Sequence, residues 1–350
     1  MTRDDLMAAI GRDDTIEGED FSGADLSGLN LTGARFQDCV FAQADFSGAN
    51  VVRTGFLDCD LTGARFAGCD LTGVLWWNMV LPRVDLSGAR LEKAVLSNAQ
   101  LTGANLSGAD LTRAVMDNAD LAGARFSGAN CFRAVLYKAA CQKADFTKAD
   151  LNRSVFFEAD LTGAVFSGAT LHKTILRDCN LSGQHFAGGK ITMSQLGGSR
   201  LDDCDLTGAD ISQTNFMGAS LKRAKLKGVS AYAGIFYEAD LTDADFRNAH
   251  VISGSFSKAV CHRTDFSDAN LELAQFDEAD LTGALLAGCN LTHAKFHHAD
   301  LTDADLSGAN LYWARLHRIV EKNTRWDGSS RRLAKGTDKE LAAAEDHGKS

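Results

Sequence analysis

Residues 104–112 read Ala104-Asn105-Leu106-Ser107-Gly108-Ala109-Asp110-Leu111-Thr112: one phrase of five residues, then the same phrase beginning again. Stepping outward from Leu106 by fives, from Phe21 to Leu316, reaches sixty positions without an insertion, and every one is apolar. Most are Leu or Phe; Val51, Trp76, Met116, Cys131, Ile191 and Ala231 are among the exceptions. Two residues before each centre lies a second, small set, in which 37 of the 59 positions from 24 to 314 are Ala. Asp or Asn often stands between the two, and a Ser or Thr and then a Gly often follow the centre.

A period of five matches neither the 3.6 of a helix nor the 2.0 of a strand, so the chain has to turn once in every unit. Four short strands with four corners close a coil of twenty residues, with the centre and the small residue inside and the other three positions facing water. The Phe columns support twenty. Phe stands at 46, 66, 126, 146, 166, 186, 246 and 266, and again at 36, 56, 156, 216, 236, 256, 276 and 296. Leu dominates the two faces between them, so broad and slim side chains alternate around the core and fill it.

The stretches Ala104-Asn-Leu-Ser-Gly, Ala109-Asp-Leu-Thr, Ala279-Asp-Leu-Thr-Gly and Ala309-Asn-Leu resemble the pentapeptide repeat family, whose motif is Ala-(Asp/Asn)-Leu-X-X. The resemblance covers about residues 20 to 318. It implies an all-β fold, a right-handed quadrilateral parallel β-helix of about 15 coils of 20 residues. The motif weakens from Val74 to Val84, where Val74, Met79 and Val84 replace Ala, and from Gln184 to Ser199; local widening or bending is expected at both.

An open coil needs covers at its ends. Residues 1–20 read as an N-terminal cap: Thr2-Arg-Asp-Asp5 has the form of a capping box leading into Leu6, Met7, Ala9 and Ile10. Residues 21–318 are then the solenoid, and 319–350 a C-terminal cap and flexible tail, with Ile319, Val320 and Trp326 closing the last coil and Asp338 to Asp346 prone to helix.

Much chemistry is excluded by position. All nine Cys fall on inward columns: Cys131, Cys141 and Cys261 at centres, and Cys39, Cys59, Cys69, Cys179, Cys204 and Cys289 at small positions, where they substitute for Leu and Ala. His293, His297, His298 and His317 gather at one corner, but no carboxylate or thiolate is aimed at them in sequence, so no metal is expected. Gly188-Gly-Lys190 lacks the Ser or Thr of a phosphate loop, having Ile191 instead. Regular corner Asp residues offer no isolated, desolvated pair for acid–base work. No enzyme activity and no cofactor are expected. No apolar run approaches the roughly 20 residues of a membrane span, and a cytoplasmic location is expected, export by a dedicated system being the alternative.

Function then lies on the outward columns. The position before the fourth-face centres, from 35 to 315, holds no Asp, and six consecutive coils place Leu75, Val95, Val115, Val135, Val155 and Ile175 there. A basic ladder of Lys93, Arg113, Arg133, Arg153 and Lys173 runs along the neighbouring edge, and Leu57, Trp77, Tyr137 and Phe157 point outward on the same face. This ridge is the candidate partner surface. Charge is uneven: residues 21–200 carry a net +1 and residues 201–310 a net −9. Asp243, Asp245, Asp265, Asp268, Asp280, Asp303 and Asp305 form a candidate acidic face, which disfavours direct nucleic-acid binding and favours cationic partners. The leading reading is a non-enzymatic protein-interaction scaffold, its ridge serving a protein partner or self-association. The resemblance implies two alternatives: a DNA-mimicking modulator of DNA gyrase or topoisomerase, and an accessory or effector of a bacterial secretion system.

Overall fold

The structure, a computed structural model, describes residues 3–347. The Thr2 end of the expected capping box lies outside them. The chain divides into two compact units, the first ending at Ile175 and the second beginning at Leu176.

In the first unit, helix α1 (Arg3–Gly11) buries Leu6 and Ala9 and leads into three short parallel strands, β1 (Thr15–Glu17), β2 (Arg35–Gln37) and β3 (Gly55–Leu57). Their register is Ile16↔Phe36↔Phe56, a step of twenty. Pairing therefore begins at Thr15, ahead of Phe21, with Ile16 buried as one more centre. Further on, the ladder continues as single parallel bridges at the same step, such as Val95↔Val115 and Asp110↔Asn130. The second unit repeats the scheme, for example Asp205↔Lys225, Asp240↔Val260 and Asn290↔Asn310.

The corner chemistry explains the five-residue phrase. The small residue's N–H donates to the carbonyl of the preceding centre, as in Ala104 to Leu101 (2.9 Å) and Ala109 to Leu106 (3.1 Å). The residue just before it takes a positive φ, 67° at Gly103 and 65° at Gly108, which is the reason for Gly at this place in the phrase. Asp or Asn serves the same corner by accepting the N–H two residues on: Asp110 Oδ1 takes the Thr112 N–H at 3.1 Å and its hydroxyl at 2.6 Å.

Centres and small residues are buried almost without exception. In the second unit Phe216, Phe236, Phe256, Phe276 and Phe296 stack in one column at 5.1, 4.9, 4.8 and 5.0 Å between ring centroids. Phe246 and Phe266 meet that column edge-on. Such pairs add about 0.5–1.5 kcal/mol each beyond the burial itself.

The two weak stretches of the motif behave differently. Toward the following coil, Gln184–Ser199 pairs fully (His185↔Asp205, Lys190↔Asp210, Gln195↔Asn215), so the widening expected there is not seen on that side. The reason is that Ser194 and Ser199 fit the buried small position; the Ser199 hydroxyl accepts the Cys179 N–H at 3.0 Å. At 74–84 the coils do part, as described below.

The end of the chain also differs from the flexible tail expected. Coil pairing runs on through Asp300↔Val320 and Asp305↔Arg325 to Arg315↔Lys335. A 3-10 turn (Arg331–Leu333) and helix α2 (Lys339–His347) follow. Val320 is half exposed and does not close the coil, whereas α2 is clamped down by charge: Arg318 pairs with Glu345 (3.2 Å) and Asp346 (2.6 Å), and Asp338 caps the helix by accepting the Leu341 N–H.

Candidate interaction surface

Leu75↔Val95↔Val115↔Val135↔Val155↔Ile175 is an unbroken run of parallel pairs within the first unit. From Val95 to Ile175 these side chains are half-buried, because each rung covers the next; only Leu75, at the open end, is largely bare. Tyr137 and Phe157 stack at 5.7 Å on the same face, also half-buried. Lys93, Arg113, Arg133, Arg153 and Lys173 are exposed, and all have φ between 57° and 60°. They occupy the corner where Gly costs least, and each L-residue there costs about 1 kcal/mol or more. Lys93 pairs with Glu92 at 2.9 Å. Arg113, Arg133, Arg153 and Lys173 have no carboxylate partner among the described residues, although Arg133 and Arg153 approach the Phe132 ring at 5.3 and 5.9 Å. The ridge is thus an apolar strip flanked by uncompensated cations.

Two members of this surface were not singled out from sequence. Lys138 lies 5.1 Å from the Tyr137 ring centroid and pairs with Glu158 at 3.3 Å. Asp117 is half-buried one coil before Tyr137; its carboxylate accepts the Tyr137 N–H at 3.2 Å, and burial raises its pKa. Its place, two residues after Val115, was the available signal.

Trp77, also expected on the ridge, stands beside the ridge residue Leu75 and with Leu57 and Val80 at the mouth of a cavity of about 870 Å³ between the 56–60 and 75–80 segments, which Val95 also lines.

In the second unit the acidic face is less bare than its composition suggests. Asp243 is held bidentately by Arg263 (2.7 and 2.8 Å), Asp245 by Arg247, Asp280 by His262 at 2.6 Å and Asp305 by Arg325 at 3.1 Å. Asp265 lies 3.6 Å from Arg247, and Asp303 accepts from the Asn323 amide. Hydrogen bonds from Arg263 and Arg247 hold the Asp243 and Asp245 carboxyls below the ordinary range. Asp268 has no cationic partner among the described residues.

The histidine corner is a clamp on α2. Glu345 accepts from His298 (3.0 Å) and His317 (3.3 Å), and the His317 Nδ1 accepts the Asp338 N–H at 3.1 Å. That bond uses the Nδ1 lone pair, so in neutral His317 the proton sits on Nε2 and points at Glu345. The three side chains are close enough to share a cation, but His317 offers it no free lone pair.

All nine cysteines are buried, and none is in a disulfide. Burial pushes the thiol of Cys59 up to about 11 and those of Cys204 and Cys289 up to about 12, far from a reactive thiolate. A thiol reagent is expected to label the native protein slowly and to label all nine sites after unfolding, read by mass spectrometry. Fast labelling of any one in the folded state would place that residue outside the core.

In each unit the geometry defines a parallel β-solenoid that pairs at a step of twenty residues and buries its inward columns. The family model for pentapeptide repeats matches residues 20–55, 58–183, 199–230 and 235–319, and the chain belongs to that family. The right-handed β-helix follows from it. The gap in the match at 184–198 coincides with the weakened motif. Among solved structures, similarity is found to HetL, a pentapeptide repeat protein involved in heterocyst differentiation regulation in the cyanobacterium Nostoc (23% identity, 72% of this chain and 89% of that one, TM-score 0.22). QnrB1, a plasmid-mediated fluoroquinolone resistance protein, matches at 15% identity over 77% of this chain and 98% of its own (TM-score 0.23). A pentapeptide repeat protein of the Arabidopsis thaliana thylakoid lumen matches at 26% over 39% and 67% (TM-score 0.12). No curated protein matches in sequence. Among the described residues no helix is long and apolar enough to cross a membrane.

Proposed function

We propose that the chain is a non-enzymatic scaffold that docks a protein partner on the ridge of Val95, Val115, Val135, Val155 and Ile175. The observation that carries this reading is the pairing of an unbroken β-branched ladder with Arg113, Arg133, Arg153 and Lys173, cations that have no carboxylate of their own. An apolar strip beside unpaired positive charge is complementary to a partner strip of apolar residues edged by Asp and Glu. A second copy of this chain is the simplest alternative occupant and is distinguished by mass in solution. The DNA-mimic reading has weaker support, because most of the carboxylates it relies on are already matched by Arg, His or Asn.

Stability and binding are expected to pull in opposite directions at the basic ladder. Replacing Arg113, Arg133 and Arg153 with Gly relieves three positive-φ residues, and after the extra chain entropy of Gly in the unfolded state the net gain is on the order of 1–2 kcal/mol. Partner capture should at the same time slow and lose salt dependence, because rim charges act mainly on encounter. The measurements are urea midpoints and association rates across ionic strength. Unchanged rates at every salt concentration would remove the ladder from the interface.

A further inference from the structure

The two coils of the first unit that hold residues 51–60 and 71–80 have parted over two of their faces. Behind the opening, Arg35↔Gly55 and Val40↔Asp60 tie the first wall to the preceding coil. Ahead of it, Leu75↔Val95 and Val80↔Gln100 tie the second wall to the following coil. Across it, no bridge joins Gly55 to Leu75 or Asp60 to Val80 among the described residues, while Asp45↔Arg65 and Asn50↔Asp70 remain paired on the other faces. The N–H groups of Phe56, Asp58, Leu61, Leu75 and Val80, each of which would bond to a neighbouring coil elsewhere in the ladder, have no backbone partner here.

The cause is bulk at inward positions. Trp76 is fully buried where the next coil has Leu96, and its indole N–H finds no acceptor. Val74 and Met79 stand at the small position and remain partly exposed, whereas Ala94 and Ala99 beneath them are completely covered. The opening consists of the cavity of about 870 Å³ and an adjoining one of about 510 Å³ that shares Leu75 with it. Its mouth carries Leu57, Leu75, Trp77 and Val80, exposed by 58, 76, 62 and 45%. Asp58 and Asp60 line the first wall, exposed and without a cationic partner among the described residues.

We propose that this slot takes up an extended peptide segment of alternating apolar and basic residues as an added strand, a binding site that meets the ridge only at its open end, at Leu75 and Val95. The unpaired edge of Gly55–Asp60 presents alternating N–H and C=O groups, which another extended backbone satisfies and a compact ligand does not. Side chains of such a strand alternate between two sides. One set rests on Leu75 and Trp77, and the other reaches Asp58 and Asp60, with Trp77 also offering its ring face to a cation.

The test is fluorescence anisotropy of the full chain with a labelled short peptide of alternating lysine and valine. Saturable binding is expected, with a loss of roughly tenfold or more when alternate peptide nitrogens are methylated or when glutamate replaces lysine. Asp58→Asn with Asp60→Asn should weaken binding without disturbing the fold, since Asn suits the positive φ of 52° at position 58 and keeps the corner bond at 60. Val74→Ala, Trp76→Leu and Met79→Ala together restore the repeat phrase, should close the slot and should abolish binding, while the ridge variants described below should retain it. No binding, equal binding of the methylated peptide, or equal binding of the glutamate peptide would overturn the proposal. So would a change in the protein's mass in solution on closing the slot, which would make a second copy the occupant.

Discussion

Val115→Asp, Val135→Asp and Val155→Asp, made together, are expected to abolish partner docking while leaving the fold in place. Each change removes a β-branched contact and puts an unpaired carboxylate into the apolar strip, and the three together should cost on the order of 5 kcal/mol or more of binding. The inward Leu, Phe and Ala are untouched, and Asp at adjacent rungs is already accommodated at Asp245↔Asp265 and Asp280↔Asp300. Val→Thr at the same three positions keeps the branched shape and provides the control; it should weaken docking only modestly. Circular dichroism and urea midpoints check the fold, and sedimentation with and without cell extract checks docking and self-association. Full retention of every partner by the folded Asp variant would reduce the ridge to a stabilising ladder.

The second large effect is expected in the core. Phe256 is fully buried, stacked between Phe236 and Phe276 and met edge-on by Phe246 and Phe266. Phe256→Ala should cost about 3–5 kcal/mol, because parallel rungs fixed by backbone pairing cannot close over the cavity. A repeat ladder gives way locally, so the loss should appear first as faster hydrogen exchange at amides of residues 236–276. Exchange rising evenly over the whole second unit would mean that the unit unfolds as one body.

The core was legible in sequence because inward positions recur every five residues and like columns every twenty. Phe36, Phe56 and Phe256 could be placed by arithmetic, and the acid–base pairs Asp203–Arg223 and Asp243–Arg263, twenty apart, follow the same arithmetic although composition alone hid them. The parted coils were half legible: Val74 and Met79 broke the small column, but which neighbour the displaced segment would stay with depends on how Trp76 fills the core. The ridge was legible as a column, yet its half-burial comes from rung-on-rung cover that no single residue announces. The clamp on α2 was not legible, since Glu345 meets His298 and His317 across 47 and 28 residues in a stretch with no period. Pairing from Thr15 was missed because Ile16 precedes the first full phrase.

The most direct test of the scaffold reading is site-specific photocrosslinking in the native cell, with a photoreactive residue at Val135 on the ridge and, separately, at Arg125 on a different face of the same unit. The account predicts a discrete adduct from position 135 that disappears when Val115 and Val155 become Asp, and none from position 125. The same adducts from both positions, or none from 135, would contradict it.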